Sequence, residues 1–568
     1  MKHLSLLMVL ISVLLVHGPT NATIIHVPAD SSTIQGGING AENGDTVLVA
    51  PDTYGEHINF LGKAILLKSE AGPEVTVIER SKVDVGLSIV SFINGEDSTS
   101  IIDGFTIQNA ILVDVGGGIL CWGHSSPTII NNIIKNNSAT LGGGVYAFSY
   151  SSPHIYDNQI SWNTAETGGG ILCDVQSQAV IIGNQVMGNE VTWRGGGVHC
   201  YDGCNVTVYD NVVADNSAYK GGGIFYEVHC SGRISKNSVY NNYAVIGGGI
   251  YTFSYSSPSI DSNTIRRNRA SVGGGILVDV LSDPSITYNL ILHNPVSDTG
   301  GGIYCYDQCS PVILDNTLYG NSALYLGGGI LCREICSPQI TNNIISNVGQ
   351  GHGIFCELNS LPTISYNDIW GNIAGNYYGC EPGEGDISED PLFCDPVNEN
   401  YYLFNISPCV GAGQGGSNIG AFGVGCYAGY AVQVYAGPDV YGFAGATIEA
   451  KFYVKNVGLN PDAYTLEASD SLGWNVYPET EFITLDPEQG DTVIVFVEIG
   501  NLPETVDKVS LSATSQGDPF QSDSDFLYVT ALYLCGDVNL TGDIDLGDVL
   551  YLVNYLYKGG PPPCEPKP

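Results

Sequence analysis

The sequence predicts an all-β chain whose larger part is a parallel β-solenoid, and three observations lead to this fold class. A run of three glycines followed by Ile or Val returns every 26 or 27 residues from Gly116 onward. A second phrase, N-x-[IVL]-x-x-N, keeps the same step from Asn132. Each repeat offers about three short β-strands separated by turns, without the 3.6-residue apolar stripe of helical repeats. This period indicates one coil per repeat, with each strand hydrogen-bonded to its counterpart about 4.8 Å away.

The columns of the repeat predict which side chains face the interior. We number the four residues after each glycine run as positions 1 to 4. Position 1 is Ile or Val in every copy and position 3 is mostly small or apolar, so we expect both inside the coil. Strand alternation then places positions 2 and 4 on the outer face. The asparagines are expected to stack at turns between coils, and the glycines indicate positive φ or close backbone approach.

The composition and the N-terminal residues predict an exported protein. The formal net charge of −39 argues against nucleic acid or an anionic membrane as a partner. Residues 1–22 have the pattern of a signal peptide, with Lys2 and His3 before an apolar run and a small-residue cleavage site ending at Ala22. No other apolar run is long enough to span a membrane. We therefore predict a secreted protein, extracellular or on the cell surface, without membrane insertion.

The 16 cysteines are an even number, as expected in an oxidising compartment. Two pairs share a column on adjacent coils, at a spacing that suits disulfides: Cys204 with Cys230, and Cys309 with Cys336. The alternative for the second region is a zinc site made of four thiolates: Cys305, Cys309, Cys332 and Cys336. Four later cysteines are expected to pair among themselves: Cys380, Cys394, Cys409 and Cys426.

Three phrases around the repeats resemble those of secreted, right-handed parallel β-helix proteins of the pectin-lyase-like kind. The first is the cap-like stretch 27–54, the second is I-D-G-F-T-I at 102–107, and the third runs from E-D-P-L-F at 389–393 to N-I-G-A-F at 418–422. The resemblance covers roughly residues 24 to 425. It implies a right-handed β-helix over 23–429 with an N-terminal cap that covers the open solenoid end.

Residues 430–531 lose the glycine runs and alternate as β-strands separated by turns, which predicts a β-sandwich. The phrase V-K-N-V-G-L-N-P-D-A-Y-T-L at 454–466 resembles bacterial immunoglobulin-like modules. Such modules usually space or support other domains.

The tail, 532–568, carries a twelve-residue phrase with the ligand spacing of a calcium loop, followed by an apolar helix. The predicted Ca2+ ligands are Asp537, Asn539, Thr541, Asp543, Asp545 and Asp548. The loop resembles a type I dockerin, which implies docking to a cohesin-like or cell-surface protein. It departs from the pattern in having Thr541 where an acid is usual, and in having one loop where cohesin-binding dockerins have two.

Position 4 carries a row of aromatic and acidic residues on the predicted outer face. Aromatic rings stack on sugar faces while polar groups bond hydroxyls, so the row predicts a surface that binds polysaccharide or another glycan. The predicted ligand-binding residues are Trp122, Phe148, Tyr201, Phe253 and Tyr306. Side-chain packing across the sheet is the alternative explanation.

Three acids of this row are candidate catalytic residues: Asp174, Glu227 and Asp279. They lie two coils apart, about 9.6 Å on strand spacing, which approaches the carboxyl separation of inverting glycosidases. No catalytic signature of pectin-lyase-like enzymes accompanies them, and Arg333 beside Glu357 indicates an ion pair. We therefore predict a polysaccharide-binding β-helix, and leave open an enzyme, as a polysaccharide lyase or glycoside hydrolase, and a structural surface adhesin.

Overall fold

The computed structural model describes residues 22–80, 86–111, 113–426, 429–500 and 505–532. The predicted calcium loop, and all of the predicted signal peptide except Ala22, lie outside these ranges. The described chain divides into two compact units. The first runs up to Pro391 and includes Pro408–Phe422, and the second contains Leu392–Ser407 and continues from Gly423.

The first unit is an all-β parallel solenoid, as predicted, but most of its described coils have four strands where the sequence predicted three. Sheet 1 follows the glycines: Ile58–Asn59, Val90–Phe92, Ile119–Trp122, Val145–Phe148, Ile171–Asp174, Val198–Tyr201, Ile224–Glu227, Ile250–Phe253, Ile276–Asp279, Ile303–Tyr306, Ile330–Arg333, Ile354–Cys356 and Tyr377–Tyr378. Sheet 2 comes next in each coil: Ile24–Val27, Thr46–Val49, Leu66–Ser69, Ile101–Asp103, Thr128–Ile130, His154–Tyr156, Val180–Ile182, Asn205–Tyr209, Ser231–Ser235, Ser259–Asp261, Ser285–Thr287, Val312–Leu314, Gln339–Thr341 and Thr363–Ser365.

Sheets 3 and 4 complete the coil and are separated by the second asparagine. Sheet 3 contains Thr53–Gly55, Val77–Glu79, Thr106–Gln108, Ile133–Lys135, Gln159–Ser161, Gln185–Met187, Val212–Ala214, Ser238–Tyr240, Thr264–Arg266, Leu290–Leu292, Thr317–Tyr319, Ile344–Ser346 and Asp368–Trp370. Sheet 4, which the sequence did not predict, contains Val113–Val115, Ala139–Leu141, Thr164–Thr167, Glu190–Arg194, Ser217–Lys220, Tyr243–Ile246, Ala270–Val272, Pro295–Thr299 and Ser322–Ala323. Its strands are short and most of them start directly after an asparagine, so their alternation is too brief to stand out.

Two ladders of buried asparagines run along the solenoid at the turns on either side of sheet 3. Asn237 shows the pattern: its backbone N donates to Asn263 Oδ1 at 2.9 Å, and its Nδ2 donates to Val208 O and to Asn263 Oδ1. Its own Oδ1 accepts from Asn211 N and Nδ2. Each amide therefore has its hydrogen bonds satisfied inside the protein, which confirms the structural role predicted for the asparagines.

The glycine run is explained by two different physical needs. Gly221 has a φ of +67°, a region that glycine enters without steric cost. Gly222 and Gly223 have no such φ, but a Cβ on Gly223 would lie 2.5 Å from Gly249 O of the next coil. Both reasons predicted for these glycines are confirmed.

The interior of the coil is lined by positions 1 and 3, as predicted. Ile224 and Ile250 at position 1 are fully buried, and so is Tyr226 at position 3. The Tyr226 hydroxyl donates to Val206 O at 2.8 Å, which satisfies a large polar side chain within the core.

A short helix, Ile34–Gly40, packs at the N-terminal end of the solenoid. Thr33 caps it by accepting from Gly36 N, and Glu56 accepts from the first two helical N–H groups. At the other end, Lys63 Nζ donates to the carbonyls of Ile38, Asn39 and Ala41. These bonds satisfy helix-terminal groups that would otherwise be unpaired.

The second unit contains two β-sheets around one core, the β-sandwich architecture predicted for this region. One sheet contains, in spatial order, Val432–Ala436, Thr447–Asn456, Gly490–Glu498 and Asn475–Pro478. The other contains Val440–Phe443, Ser522–Leu532, Val506–Ser515, Asp462–Asp470 and Phe482–Leu485. A small sheet precedes them: Phe393–Asp395, Asn400–Phe404 and Val424–Cys426. A 3₁₀ turn, Pro396–Asn398, belongs to this unit, and another, Gln414–Gly416, belongs to the first unit.

Candidate functional site

Position 2 of the repeat is buried, which corrects the prediction that it faces solvent. Tyr251 and Leu277 are each only 1% exposed, and they pack against Ile246 and Val272, the residues immediately before two glycine runs. The chain reverses at the glycines, so the end of each sheet 4 strand folds over position 2. A second apolar row therefore lies outside the main core, and position 4, except for Glu227, is the position that reaches the surface.

Position 4 forms a continuous row along the outer face of sheet 1, in register from coil to coil. Trp122 is 46% exposed, and its ring meets Phe148 edge-on at 5.4 Å. The other predicted ligand-binding aromatics are partly exposed: Phe148, Tyr201, Phe253 and Tyr306. The structure thus brings all five predicted residues onto one face, accessible to a ligand.

Two of the candidate acids are held by tyrosines of the preceding coil. Tyr146 Oη donates to Asp174 Oδ2 at 3.0 Å, and Tyr251 Oη donates to Asp279 Oδ2 at 2.8 Å. Burial raises the pKa of Asp174, and it raises the pKa of Asp279 to about 6. The hydrogen bonds therefore fix the orientation of both carboxyls, and burial favours their protonated form.

Glu227, the third candidate acid, is enclosed and only 2% exposed. Arg194 Nη1 lies 2.6 Å from Glu227 Oε1, and His199 Nε2 lies 3.2 Å from Oε2. The His199 ring stacks on Phe225 at 4.9 Å, and Phe225 stacks on Tyr251 at 4.5 Å. Glu227 is thus the buried centre of a polar cluster with the partly exposed Arg194 and with His199, whose place at position 2 interrupts the apolar row.

The sequence missed the two cations of this region, Arg194 and Lys220, which come immediately before glycine runs. Lys220 Nζ lies 5.2 Å from the centre of the Phe253 ring, and Arg194 lies over the Trp193 ring at 5.4 Å. Trp193 also stacks on Tyr219 at 5.2 Å with the rings nearly parallel. A signal did exist in the sequence, because this column is otherwise filled by Val, Leu, Ile or Thr.

At the far end of the row, Arg333 Nε lies 2.6 Å from Glu357 Oε1. This confirms the ion pair predicted from the sequence.

The cysteines are arranged differently from part of the prediction. Cys394 and Cys426 form a disulfide, as expected for two of the four late cysteines. Cys409 instead donates to Asp368 Oδ2 at 3.1 Å, and Cys380 contacts the thiol of Cys356. The column pairs are thiols in the structure: Cys204, Cys230, Cys309 and Cys336. Among the residues that the structure describes, no three His, Cys, Asp or Glu side chains are placed to hold a metal, so the zinc alternative gains no support.

The pH dependence of stability tests the environment of Asp279. Its pKa is about 6 in the folded protein, against about 3.9 in an unfolded chain. The protonated carboxyl therefore stabilises the fold below about pH 4, and this contribution is lost as the pH rises through about 6. We expect Asp279→Asn to reduce the fall in unfolding free energy between pH 4 and 6, measured by chemical denaturation. Substitution of the exposed Asp114 by Asn should leave the profile unchanged, and parallel profiles for wild type and Asp279→Asn would contradict the prediction.

A family model described as a right-handed beta helix region matches residues 64–232 and 220–334. Together with the in-register parallel coils, this match identifies the fold of residues 64–334. The first unit is a parallel β-helix of repeats. No curated protein sequence matches this β-helix protein. Within the described ranges, none of its helices is long and apolar enough to cross a membrane.

The solved structures that resemble this β-helix protein do so only distantly. A family 123 glycoside hydrolase from Clostridium perfringens is 10% identical, with a TM-score of 0.16, and the match covers 19% of this chain and 28% of the hydrolase. The PapD-like domain 7 of human CEP192 is 8% identical, with a TM-score of 0.15 and coverage of 19% and 87%. An MSP-domain-like protein of Caenorhabditis elegans is 17% identical, with a TM-score of 0.13 and coverage of 16% and 94%. These likenesses are too remote to bear on function.

Proposed function

We propose that this β-helix protein is exported and binds a polysaccharide chain along the outer face of sheet 1. The observation that carries the proposal is the position 4 row, which runs in register from Trp122 to Tyr306. Seven coil steps of about 4.8 Å make this row about 34 Å long. Such a row suits an extended polymer better than a single small molecule.

The chemistry of the row favours sugar as the ligand. Partly exposed rings offer apolar faces, while the acids and tyrosine hydroxyls between them form hydrogen bonds. The tyrosine–carboxyl bonds fix these groups in place before a ligand arrives, which lowers the entropic cost of binding. The net charge of −39 disfavours polyanionic nucleic acid as the alternative polymer.

Removal of the rings at the start of the row tests the binding face. The double variant Trp122→Ala with Phe148→Ala is expected to bind the glycan at least about tenfold more weakly, which corresponds to about 1.4 kcal/mol. A glycan array probed with the full mature chain identifies the ligand, and isothermal titration measures its affinity. Trp162→Ala is the matched control, because Trp162 is 65% exposed but lies on a turn after sheet 3. Equal losses in both variants would contradict binding at sheet 1.

A second candidate function is cleavage of the bound polysaccharide, as a lyase or glycoside hydrolase. The observation that favours it is Asp279, a carboxyl within the row between Phe253 and Tyr306, with a pKa of about 6. A group that is partly protonated near neutral pH suits general acid catalysis. Mass spectrometry of every glycan that binds distinguishes the two functions, because intact glycan indicates binding alone. Loss of shortened or unsaturated products in Asp279→Asn, with binding retained, would support the enzyme.

For the remaining modules we propose supporting roles. The sandwich is assigned as an immunoglobulin-like spacer, and the loop 537–548 as a dockerin-like Ca2+ site that docks to a cohesin-like or cell-surface protein. The ligand spacing of the loop supports this assignment. Equilibrium dialysis of the full chain against calcium, followed by pull-down of cell-surface proteins with and without calcium, tests both parts. A third candidate, a structural adhesin that recognises protein, lacks an observation of its own.

A further inference from the structure

The turn between sheets 1 and 2 carries one small hydrogen-bonding side chain in each coil, three residues after position 4. This turn column contains Ser125, Ser151, Ser177, Cys204, Cys230, Ser256, Ser282, Cys309, Cys336 and Ser360. Ser151 Oγ donates to Phe148 O at 2.8 Å, and Cys204 Sγ makes the same bond to Tyr201 O at 3.1 Å. Cysteine therefore takes the place of serine without changing the turn.

The bonds between coils are also the same for serine and cysteine. Ser256 N donates to Ser282 Oγ at 3.2 Å, and Cys309 N donates to Cys336 Sγ at 3.3 Å. The second of these bonds places the sulfur of one coil beside the backbone of the cysteine in the coil before it. The thiols of Cys204 and Cys230 are in contact with each other, and so are those of Cys309 and Cys336.

The four cysteines of the turn column occur as two pairs, and the two members of each pair lie on adjacent coils. All four are at most 1% exposed. A lone buried cysteine would have served the turn as well as a serine, so the pairing itself needs a reason. Adjacent coils are about 4.8 Å apart, within the Cα separation of a disulfide. At a turn, the backbone also has more freedom to adjust than in the middle of a sheet.

We propose that Cys204–Cys230 and Cys309–Cys336 are disulfide rungs in the mature protein, each joining two adjacent coils. The proposal rests on the proposed export, because an oxidising compartment supplies the oxidant, a disulfide-carrying oxidoreductase. One thiolate attacks a sulfur of that disulfide and forms a mixed disulfide, and the partner thiolate then displaces the oxidant. Two electrons and two protons pass from the cysteine pair to the oxidant, which leaves as a dithiol.

The rungs would lie at the turn that directly follows the proposed binding row. The first follows Tyr201 and Glu227, and the second follows Tyr306 and Arg333, so each ties two neighbouring position 4 residues together. Each rung closes a loop of one coil, which restricts the unfolded chain and stabilises that part of the solenoid. The thiol pairs within the strands differ, because the sheet fixes their side chains in parallel. Cys173, Cys200, Cys305 and Cys332 are therefore expected to stay reduced.

Mapping of thiols in the full chain exported to an oxidising periplasm tests the proposal. The protein is quenched in acid, alkylated before reduction, digested and analysed by mass spectrometry. We expect cross-linked peptides for both rungs and for Cys394–Cys426, which reports that the compartment was oxidising. Alkylation of all four rung cysteines beside an intact Cys394–Cys426 bond would overturn the proposal. Pairing within a coil, Cys200 with Cys204 or Cys305 with Cys309, would overturn it as well.

A matched variant assigns each rung. Replacement of both Cys204 and Cys230 by Ser restores the residue that six other coils carry in the turn column. We expect this variant to fold, to lose the first cross-linked peptide and to keep the second. Retention of the first cross-link signal would contradict its assignment. Glycan binding is measured on the same sample. Disulfide rungs without glycan binding would refute only the proposed function. Glycan binding without disulfide rungs would refute only the proposal made here.

Discussion

Replacement of Asn237 by Ala is expected to lower the free energy of unfolding by about 3–5 kcal/mol. The change removes the acceptor for Asn211 N and Nδ2 and the donor to Val208 O. All these groups are buried away from water, and each unsatisfied group costs about 1–3 kcal/mol. Chemical denaturation of the full chain measures the loss.

The matched control for this change is Gln185→Ala in the neighbouring sheet 3. Gln185 is exposed and outside the ladder, so its loss is expected to change stability by no more than about 0.5 kcal/mol. A similar small effect for Asn237→Ala would show that water or a backbone shift replaces the amide, and would contradict the ladder as a major source of stability.

Substitution of Gly223 by Ala is expected to destabilise the solenoid by about 3 kcal/mol. The added Cβ would lie 2.5 Å from Gly249 O and 3.0 Å from Val239 Cγ1. The oxygen has no freedom to withdraw, because it accepts a hydrogen bond from Ile224 N at 2.9 Å. The cost is thus steric and arises between coils, and the same denaturation experiment detects it.

Gly55→Ala is the control for the glycine prediction, because its Cβ would meet no atom within 4 Å and its φ is not positive. We expect this variant to be as stable as the wild type. If Gly223→Ala were equally stable, the glycine runs would have to be explained by something other than close coil stacking.

The interior of the solenoid was predictable because its periodicity is strict. Ile224 and Tyr226 are buried where alternation placed them. Alternation also places Tyr251 on the opposite face, correctly, but it does not reveal that sheet 4 covers that face. The second asparagine ladder is irregular at one coil, because Asn347 comes one place early in the sequence. Val348 occupies the ladder position there, and its backbone N donates a hydrogen bond to Asn372 Oδ1. The backbone of the turn, rather than the identity of the side chain, preserves the register there.

The sequence predicted which residues of the candidate site share a row, but it did not predict which side chains form ion pairs and hydrogen bonds with one another. A constant period puts Trp122 and Phe148 in register, so the outer row follows from counting residues. The partners of Glu227 depend on how sharply the chain reverses at the glycines, which no local pattern encodes. Arg194 precedes Glu227 by 33 residues and still lies 2.6 Å from it.

The asparagine ladders have a consequence for how such a chain changes in length. Asn184, Asn211 and Asn237 each make the same bonds to the next coil, so any coil is an adequate neighbour for any other. An in-frame duplication or deletion of the codons for one repeat would therefore add or remove a whole coil, and both ladders would remain continuous. Unequal recombination within the gene would therefore lengthen or shorten the outer row in steps of about 4.8 Å.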